Sequence, residues 1–284
     1  MLKQVEQLLN EGRAVGDKEL REYMEVQGYG NAADWVYRHG VDPGGWSAEA
    51  PLTLTDLRHV HKLALDLVWD VASHPQATSQ EKPGSFRQHD IEPFPGGMRP
   101  PSFPDVPHLI SDWLHETEHL AGAHPLAFPE TLARIHARFE QIHPFLDGNG
   151  RTGRLILNLL LIRLGYPPAI IYKRERSQYL QALRRADRND YGSLGELLAR
   201  AVLYNLYKFV VPAIAGPARL VPLPALADAM LSANALRVAA ARGRLEAAKG
   251  ADGTWRSSRA WVETYKASRT RRGRSTASRP AQER

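Results

Sequence analysis

Apolar residues recur at helical spacing over Thr131–Ile142, where Leu132, Ile135, Phe139 and Ile142 share one face. The next apolar run, Leu155–Leu164, is almost unbroken and predicts a second helix. Between them lie twelve residues, His-Pro-Phe-Leu-Asp-Gly-Asn-Gly-Arg-Thr-Gly-Arg from His143 to Arg154, which must therefore form a helix-to-helix loop. A further helix carries Ile110, Trp113 and Leu114 on its apolar side. Upstream, Pro83-Gly-Ser-Phe-Arg87 and the Pro-Gly-Gly and Pro-Pro clusters of Ile91–Pro104 predict an irregular loop or a short hairpin, because proline gives no ladder hydrogen bond. The fold class expected is all-α, with one short β-hairpin.

A linker is expected at 213–217, within Val211-Pro-Ala-Ile-Ala-Gly-Pro217. Beyond it, short helices are expected over Pro224–Leu231 and Asn234–Arg242, the second ended by Gly243. Leu245–Trp255 alternates loosely about Asp252-Gly253, a hairpin-turn pair, and Arg259–Ser268 closes with a helix bearing Trp261, Val262 and Tyr265. Helix, turn, helix, small hairpin, helix is the plan of a winged helix-turn-helix domain, assigned to 218–268. The tail 269–284 is rich in Arg and Ser, has no apolar residue beyond Ala, and reads as disordered.

The 284 residues suffice for one large and one small domain. Cysteine is absent, which removes disulfides and thiolate metal sites and fits a cytoplasmic protein. No apolar run reaches the roughly 18 residues of a spanning helix, and no secretory signal pattern opens the chain. The net charge of +6 is uneven: from Ala218 onward 14 Lys and Arg face 5 acids, so the C-terminal part carries about +9. That part is suited to a polyanion such as DNA, or is simply a solvated basic docking domain.

The 143–154 loop holds the chemistry of a phosphate site. Gly148 and Gly150 can turn their N–H groups inward at the start of a helix, where the macrodipole favours an anion. Arg151 and Arg154 lie on the first turn, against that dipole, and an anionic ligand would repair the conflict. Asp147 is a hard oxygen donor of the kind that holds Mg²⁺ beside phosphates. His143, at the other lip, is suited to take a hydroxyl proton near neutral pH. Together they propose transfer of a phosphoryl-containing group from a nucleotide to a hydroxyl. Gly148-Asn-Gly150-Arg-Thr-Gly153 also satisfies G-x-G-x-x-G, but the dinucleotide fingerprint needs a preceding strand, and here a helix precedes. A plain surface turn would need none of His143, Asp147, Asn149 or Arg154.

These twelve residues resemble the Fic signature, H-P-F-x-(D/E)-G-N-G-R-x-x-R, at every defined position. The resemblance implies a Fic-like helical domain over 1–212 with a target-positioning flap at 83–104. It implies transfer of AMP from ATP to a Ser, Thr or Tyr hydroxyl of a protein, self-modification included. It assigns His143 as general base, Asp147 as Mg²⁺ ligand and Phe145 as the loop's anchor. Gly148, Asn149, Gly150 and Arg151 fall at the nucleotide phosphates, Arg154 at the γ-phosphate, and Tyr179 at the adenine. The phosphotransferase branch has Lys where this chain has Gly150. Near the start, Glu11-Gly12 fits the inhibitory helix of some Fic proteins, whose glutamate would pair with Arg154; Gln7 departs from that pattern. The same glutamate could instead orient water for AMP removal, or merely end a solvated helix. The C-terminal part resembles excisionase and MerR-like modules, implying Asn234, Arg237 and Arg242 toward DNA, and with it a nucleotide-sensing regulator as the alternative function. A homodimer is left open.

His115-Glu116-Thr-Glu-His119 matches the zinc-protease pattern H-E-x-x-H. These residues fall on the polar side of their helix and read as a solvated face. His59 and His61, two apart, point to different helix faces and suggest no site.

Overall fold

The computed structural model describes residues 20–42, 44–47, 49–92, 98–214, 216, 219–250 and 252–275. They form two compact units, dividing between Ala201 and Val202. No helix among them is long and apolar enough to cross a membrane.

The first unit is helical. α1 (Leu20–Gly40) lies against α2 (Leu54–Val71), and both pack on α5 (Asn149–Arg163). The close approach of α1 and α2 requires Gly28, where an added Cβ would stand 2.6 Å from the Ala64 carbonyl oxygen. α2 starts at a reciprocal cap: Thr53 Oγ1 accepts from Asp56 N–H, and the Asp56 carboxylate accepts from Thr53 N–H, both at 3.1 Å. Arg163, at the far end of α5, donates to the same carboxylate at 2.9 Å and to the Pro51 carbonyl at 2.8 Å. α5 is buried on almost every side from Leu155 to Leu161, which explains why its sequence is apolar without a polar stripe. α3 (Val106–Glu118) and α4 (Phe128–Ile142) complete the core, with Trp113 Nε1 donating to the Ile135 carbonyl at 2.8 Å and its ring tilted against Phe139. α6 (Arg176–Ala186) and α7 (Gly192–Asn205) follow.

The segment expected to hold a hairpin differs. Among the described residues, 83–92 and 98–104 make turns, and a short 3-10 turn at Phe103–Asp105, with no strand. Its polar main chain is satisfied by a side chain instead of a ladder, that of Arg87. Residues 93–97 lie outside the described set.

The second unit has its own small core of Leu223, Leu231, Leu236, Ala239, Leu245 and Val262. A three-stranded antiparallel sheet runs β1-β3-β2 (Val221–Pro222, Trp255–Ser257, Ala248–Lys249). The β2–β3 connection turns at Asp252-Gly253, with Gly253 at φ 76°, as that dipeptide predicts. α9 (Ala233–Ala241) is capped by Ser232, whose hydroxyl accepts from Ala235 N–H at 3.2 Å.

Three expectations for this region are corrected. The linker expected at 213–217 is helical up to Ile214: α7 passes through a π-helical turn (Leu206–Val210) into α8 (Val211–Ile214). The helix expected over 224–231 is only a 3-10 turn, Leu223–Leu226, because Asp228 bonds the N–H groups of Met230 and Leu231 in a turn of its own. The last helix, α10 (Arg259–Ser275), runs past Ser268 into the stretch expected to be disordered. Arginine is a good helix former and no proline intervenes before Pro280.

Candidate functional site

The 143–154 loop forms one wall of a cleft of about 440 Å³, opposite His74, Gln76, Ile91 and Glu92. α4 ends at His143, whose backbone is left-handed (φ 48°, ψ 61°). That conformation is uncommon outside glycine and swings the chain out of the helix. Phe145 then plunges into the core, fully buried and stacked on the His61 ring at 3.7 Å. The Asn149 side chain closes the turn, its Oδ1 accepting from Phe145 N–H at 2.9 Å and its Nδ2 donating to the Phe145 carbonyl at 2.7 Å. The Asn149 side chain is therefore a staple within the loop. Gly148 precedes α5 at φ 77°, with no side-chain cap, and a Cβ there would strike Leu65. The uncapped first turn leaves main-chain donors for an anion.

His143 Nδ1 lies 3.2 Å from the Glu140 carbonyl. A carbonyl can only accept, so Nδ1 carries the proton and Nε2 is the basic atom. Burial, with the Arg87 charge assisting, pulls the imidazole down to about 4, although the Glu140 carbonyl and Asp147 favour its protonated form. At neutral pH it is a neutral base. Asp147 Oδ1 accepts from Gly148 N–H at 2.6 Å, and its carboxylate lies 3.4 Å from Arg151 and 3.6 Å from Arg21 of α1. Glu25 closes the charge square, 3.8 Å from Arg151 and 3.6 Å from Arg21. Arg151 Nη1 is buried and makes no hydrogen bond among the described residues. No cluster of three or more His, Cys, Asp or Glu suited to a metal exists among the described residues. A lone Asp147 fits a divalent cation that brings its remaining ligands from phosphate and water, as Mg²⁺ does.

Arg154 lines both this cleft and a neighbouring cavity of about 390 Å³, where Tyr172, Leu180 and Leu183 supply apolar wall. Tyr179 is buried there, its hydroxyl 2.7 Å from His136 Nε2 and bonded to Arg154 and Glu140. Its hydroxyl thus serves a buried polar network beneath the loop. Gly150 divides the two spaces, and a Cβ would sit 3.3 Å from Arg154 Nη1.

Two residues essential to this geometry escaped the sequence reading. His61 is buried, donating from Nε2 to the Asp147 carbonyl at 3.0 Å and accepting Gly84 N–H at Nδ1 at 2.7 Å. Burial lowers it to about 4 and keeps it neutral, which this donor-and-acceptor pair requires. Arg87, with its side chain wholly buried, donates to the carbonyls of His143 (3.0 Å), His89 (3.1 Å) and Pro101 (2.6 Å). It fastens both arms of the 83–104 segment to the motif. Glu11 lies outside the described residues. The His115–His119 pattern is a solvated face: His115 pairs with Glu118 and Glu116 with Arg134.

The loop's geometry, its buried anchor and the helix behind it coincide with a known domain. Residues 51–161 match the Fic/DOC family model. This stretch is similar to a Fic domain. The chain is 32% identical over 191 residues to protein adenylyltransferase Fic of Drosophila virilis, covering 66% of this chain and 35% of that one. The Drosophila willistoni protein of the same name is 32% identical over 192 residues, covering 66% and 34%. The chain thus spans about a third of the length of these relatives. Among solved structures, Fic-1 (residues 134–508) of C. elegans superposes with a TM-score of 0.60 at 25% identity, covering 75% of this chain and 58% of that one. A Fic-domain signalling protein of Bacteroides thetaiotaomicron shares the fold, with a TM-score of 0.57 at 22% identity over 72% and 78% of the two chains. The residues that match the family model therefore include the whole cleft-forming motif and its two clamps, His61 and Arg87.

Proposed function

We propose that this protein is an adenylyltransferase, moving AMP from ATP to a Ser, Thr or Tyr hydroxyl of a protein, itself included. The observation that carries this reading is the histidine tautomer: His143 Nε2 is left basic by the Glu140 carbonyl, at the lip of a cleft whose floor is an uncapped helix start. The names of the Drosophila relatives support it. ATP is the co-substrate. In the mechanism, the target oxygen forms a bond to the α-phosphorus as the bond to the β-phosphate oxygen breaks. His143 takes the hydroxyl proton, and pyrophosphate departs. Main-chain N–H groups from Asn149 onward and the Arg151 guanidinium meet the charge growing on the leaving group. Asp147 would hold Mg²⁺, which when bound neutralises phosphate charge. Arg154 is placed to meet the γ-phosphate, and the apolar wall beside Tyr179 to take the base.

The test is transfer of label from α-³²P-ATP, comparing wild type with Glu11→Gly and Glu11→Gly/His143→Ala. Label in Glu11→Gly alone is expected, and would establish both transfer and restraint by the N-terminal helix. No label in any, with ATP binding intact, would favour a nucleotide sensor. AMP released from a modified protein, and lost in Glu11→Gly, would favour AMP removal.

The second unit supports a subsidiary role in DNA binding. Asn234 and Arg237 pair across the exposed face of α9 at 3.0 Å, with Arg242 and Arg244 exposed at its end. A shift assay is expected to show affinity for duplex DNA that falls steeply with salt and is lost without residues 218–284. Salt-independent binding, or none, would leave this unit a docking module.

A further inference from the structure

Beneath the loop lies an acid that the transfer mechanism does not use. Glu140 is on the last turn of α4, between the motif's base and its γ-phosphate arginine. One carboxylate oxygen, Oε1, is buried and accepts no hydrogen bond among the described residues. It packs against the bare α-carbon of Gly153, where any Cβ would collide with it. The other, Oε2, faces the gap below Gly150: a Cβ at position 150 would lie 4.0 Å from Oε2 and 3.3 Å from Arg154 Nη1. Two glycines on α5 thus clear a passage between this carboxylate and the guanidinium. A carboxylate is rarely placed in a dry site without a cation to balance it.

The polar groups that face it among the described residues come from four elements. From its own helix comes His136, whose Nε2 stands 3.9 Å from Oε1; burial, then the Arg154 charge, pulls it down to about 3, so it is neutral. α6 supplies the Tyr179 hydroxyl, held neutral by burial and by the Glu140 charge. α1 supplies Tyr29, bonded to Arg154 and also raised by burial. Lys173 and Arg176 line the outer cavity wall. Arg154 faces the carboxylate from α5, and its charge favours the ionised form.

We propose that Glu140 is a positioning residue for Arg154: in the empty site it is the counter-charge that draws the guanidinium inward, and a nucleotide's terminal phosphate competes with it for that guanidinium. This rests on the AMP-transfer reading of Arg154. When the phosphate takes Arg154, Glu140 is left buried with no cation and takes a proton from solvent. In the empty site burial already raises Glu140 to about 7, with the Arg154 charge and the Tyr179 hydroxyl pulling it back. Losing the first of these drives it higher still. The sign follows: ATP binding consumes a proton above pH 7, so affinity weakens as pH rises. ADP, lacking the terminal phosphate, leaves Arg154 on Glu140 and consumes none. This carboxylate is part of the domain's core and acts without the N-terminal helix.

The experiment is the dissociation constant of ATP and of ADP from pH 6 to 8.5, in excess Mg²⁺ so that the phosphates stay ionised throughout. Wild type is expected to lose ATP affinity by up to about tenfold per unit above pH 7. Glu140→Gln is expected to remove that slope and to bind ATP about tenfold more tightly at pH 8. ADP should show no slope in either protein. Should Glu140→Gln not fold, calorimetry of wild type at pH 8 in two buffers of different ionisation heat counts the protons directly: about one with ATP, none with ADP. Parallel ATP slopes in the two proteins, or equal proton uptake with ADP, would overturn the inference while leaving the transfer reading intact. Failure of ATP to bind at all would overturn both.

Discussion

Replacing His143 with Ala is expected to lower AMP transfer by about 10²–10⁴-fold, the usual contribution of a positioned general base. ATP binding is expected to stay within about twofold, because the groups assigned to the phosphates are main-chain N–H, Arg151 and Arg154, all on the far side of the loop. The two readouts separate a chemical role from a structural one. They are measured as label transferred from α-³²P-ATP and as the ATP dissociation constant, in the Glu11→Gly background where transfer is expected to be visible. Wild-type-like transfer by His143→Ala would remove the mechanism. A parallel loss of binding would instead make His143 a support of the loop.

Loss of Arg87 is the largest stability effect expected. Its guanidinium is buried and joins three carbonyls that are far apart in the chain, those of His143, His89 and Pro101. Arg87→Ala leaves these acceptors in a dry cavity and should cost about 3–5 kcal/mol in urea unfolding. Arg87→Lys should recover only a fraction, because one ammonium cannot span a fork of this width. A control at Arg138, which is half-exposed, should stay within about 0.5 kcal/mol. A cost below about 1 kcal/mol for Arg87→Ala would mean that the 83–104 segment is held by other means.

The helices bearing the motif were legible because their apolar spacing is unambiguous, and Phe145 sits in the core where the resemblance placed it. What the pattern hid was polar. His61 lies on the apolar stripe of α2, between Leu57 and Leu65, and His136 lies on that of α4, between Leu132 and Phe139. A histidine among core positions must find partners, and that is the signal that could have singled out both. The Asn149 side chain bonds both main-chain groups of Phe145, a second task that a place at the phosphates does not announce. Of the irregular loop or short hairpin expected at 83–104, the described residues form the loop: prolines remove ladder donors, and the side chains of Arg87, Glu81 and Asp90 bond the main chain instead. The last helix outran its expected end because an arginine-rich composition suggests disorder while arginine's own backbone preference is helical.

The left-handed backbone at His143 has a consequence for how this protein changes over generations. Glycine adopts that conformation without strain, and a non-glycine side chain there costs on the order of 1 kcal/mol. Selection for folding alone therefore pushes position 143 toward glycine and away from the base. Lineages that no longer need the reaction should lose the histidine first and become sturdier as they do, keeping a cleft that binds nucleotide and transfers nothing.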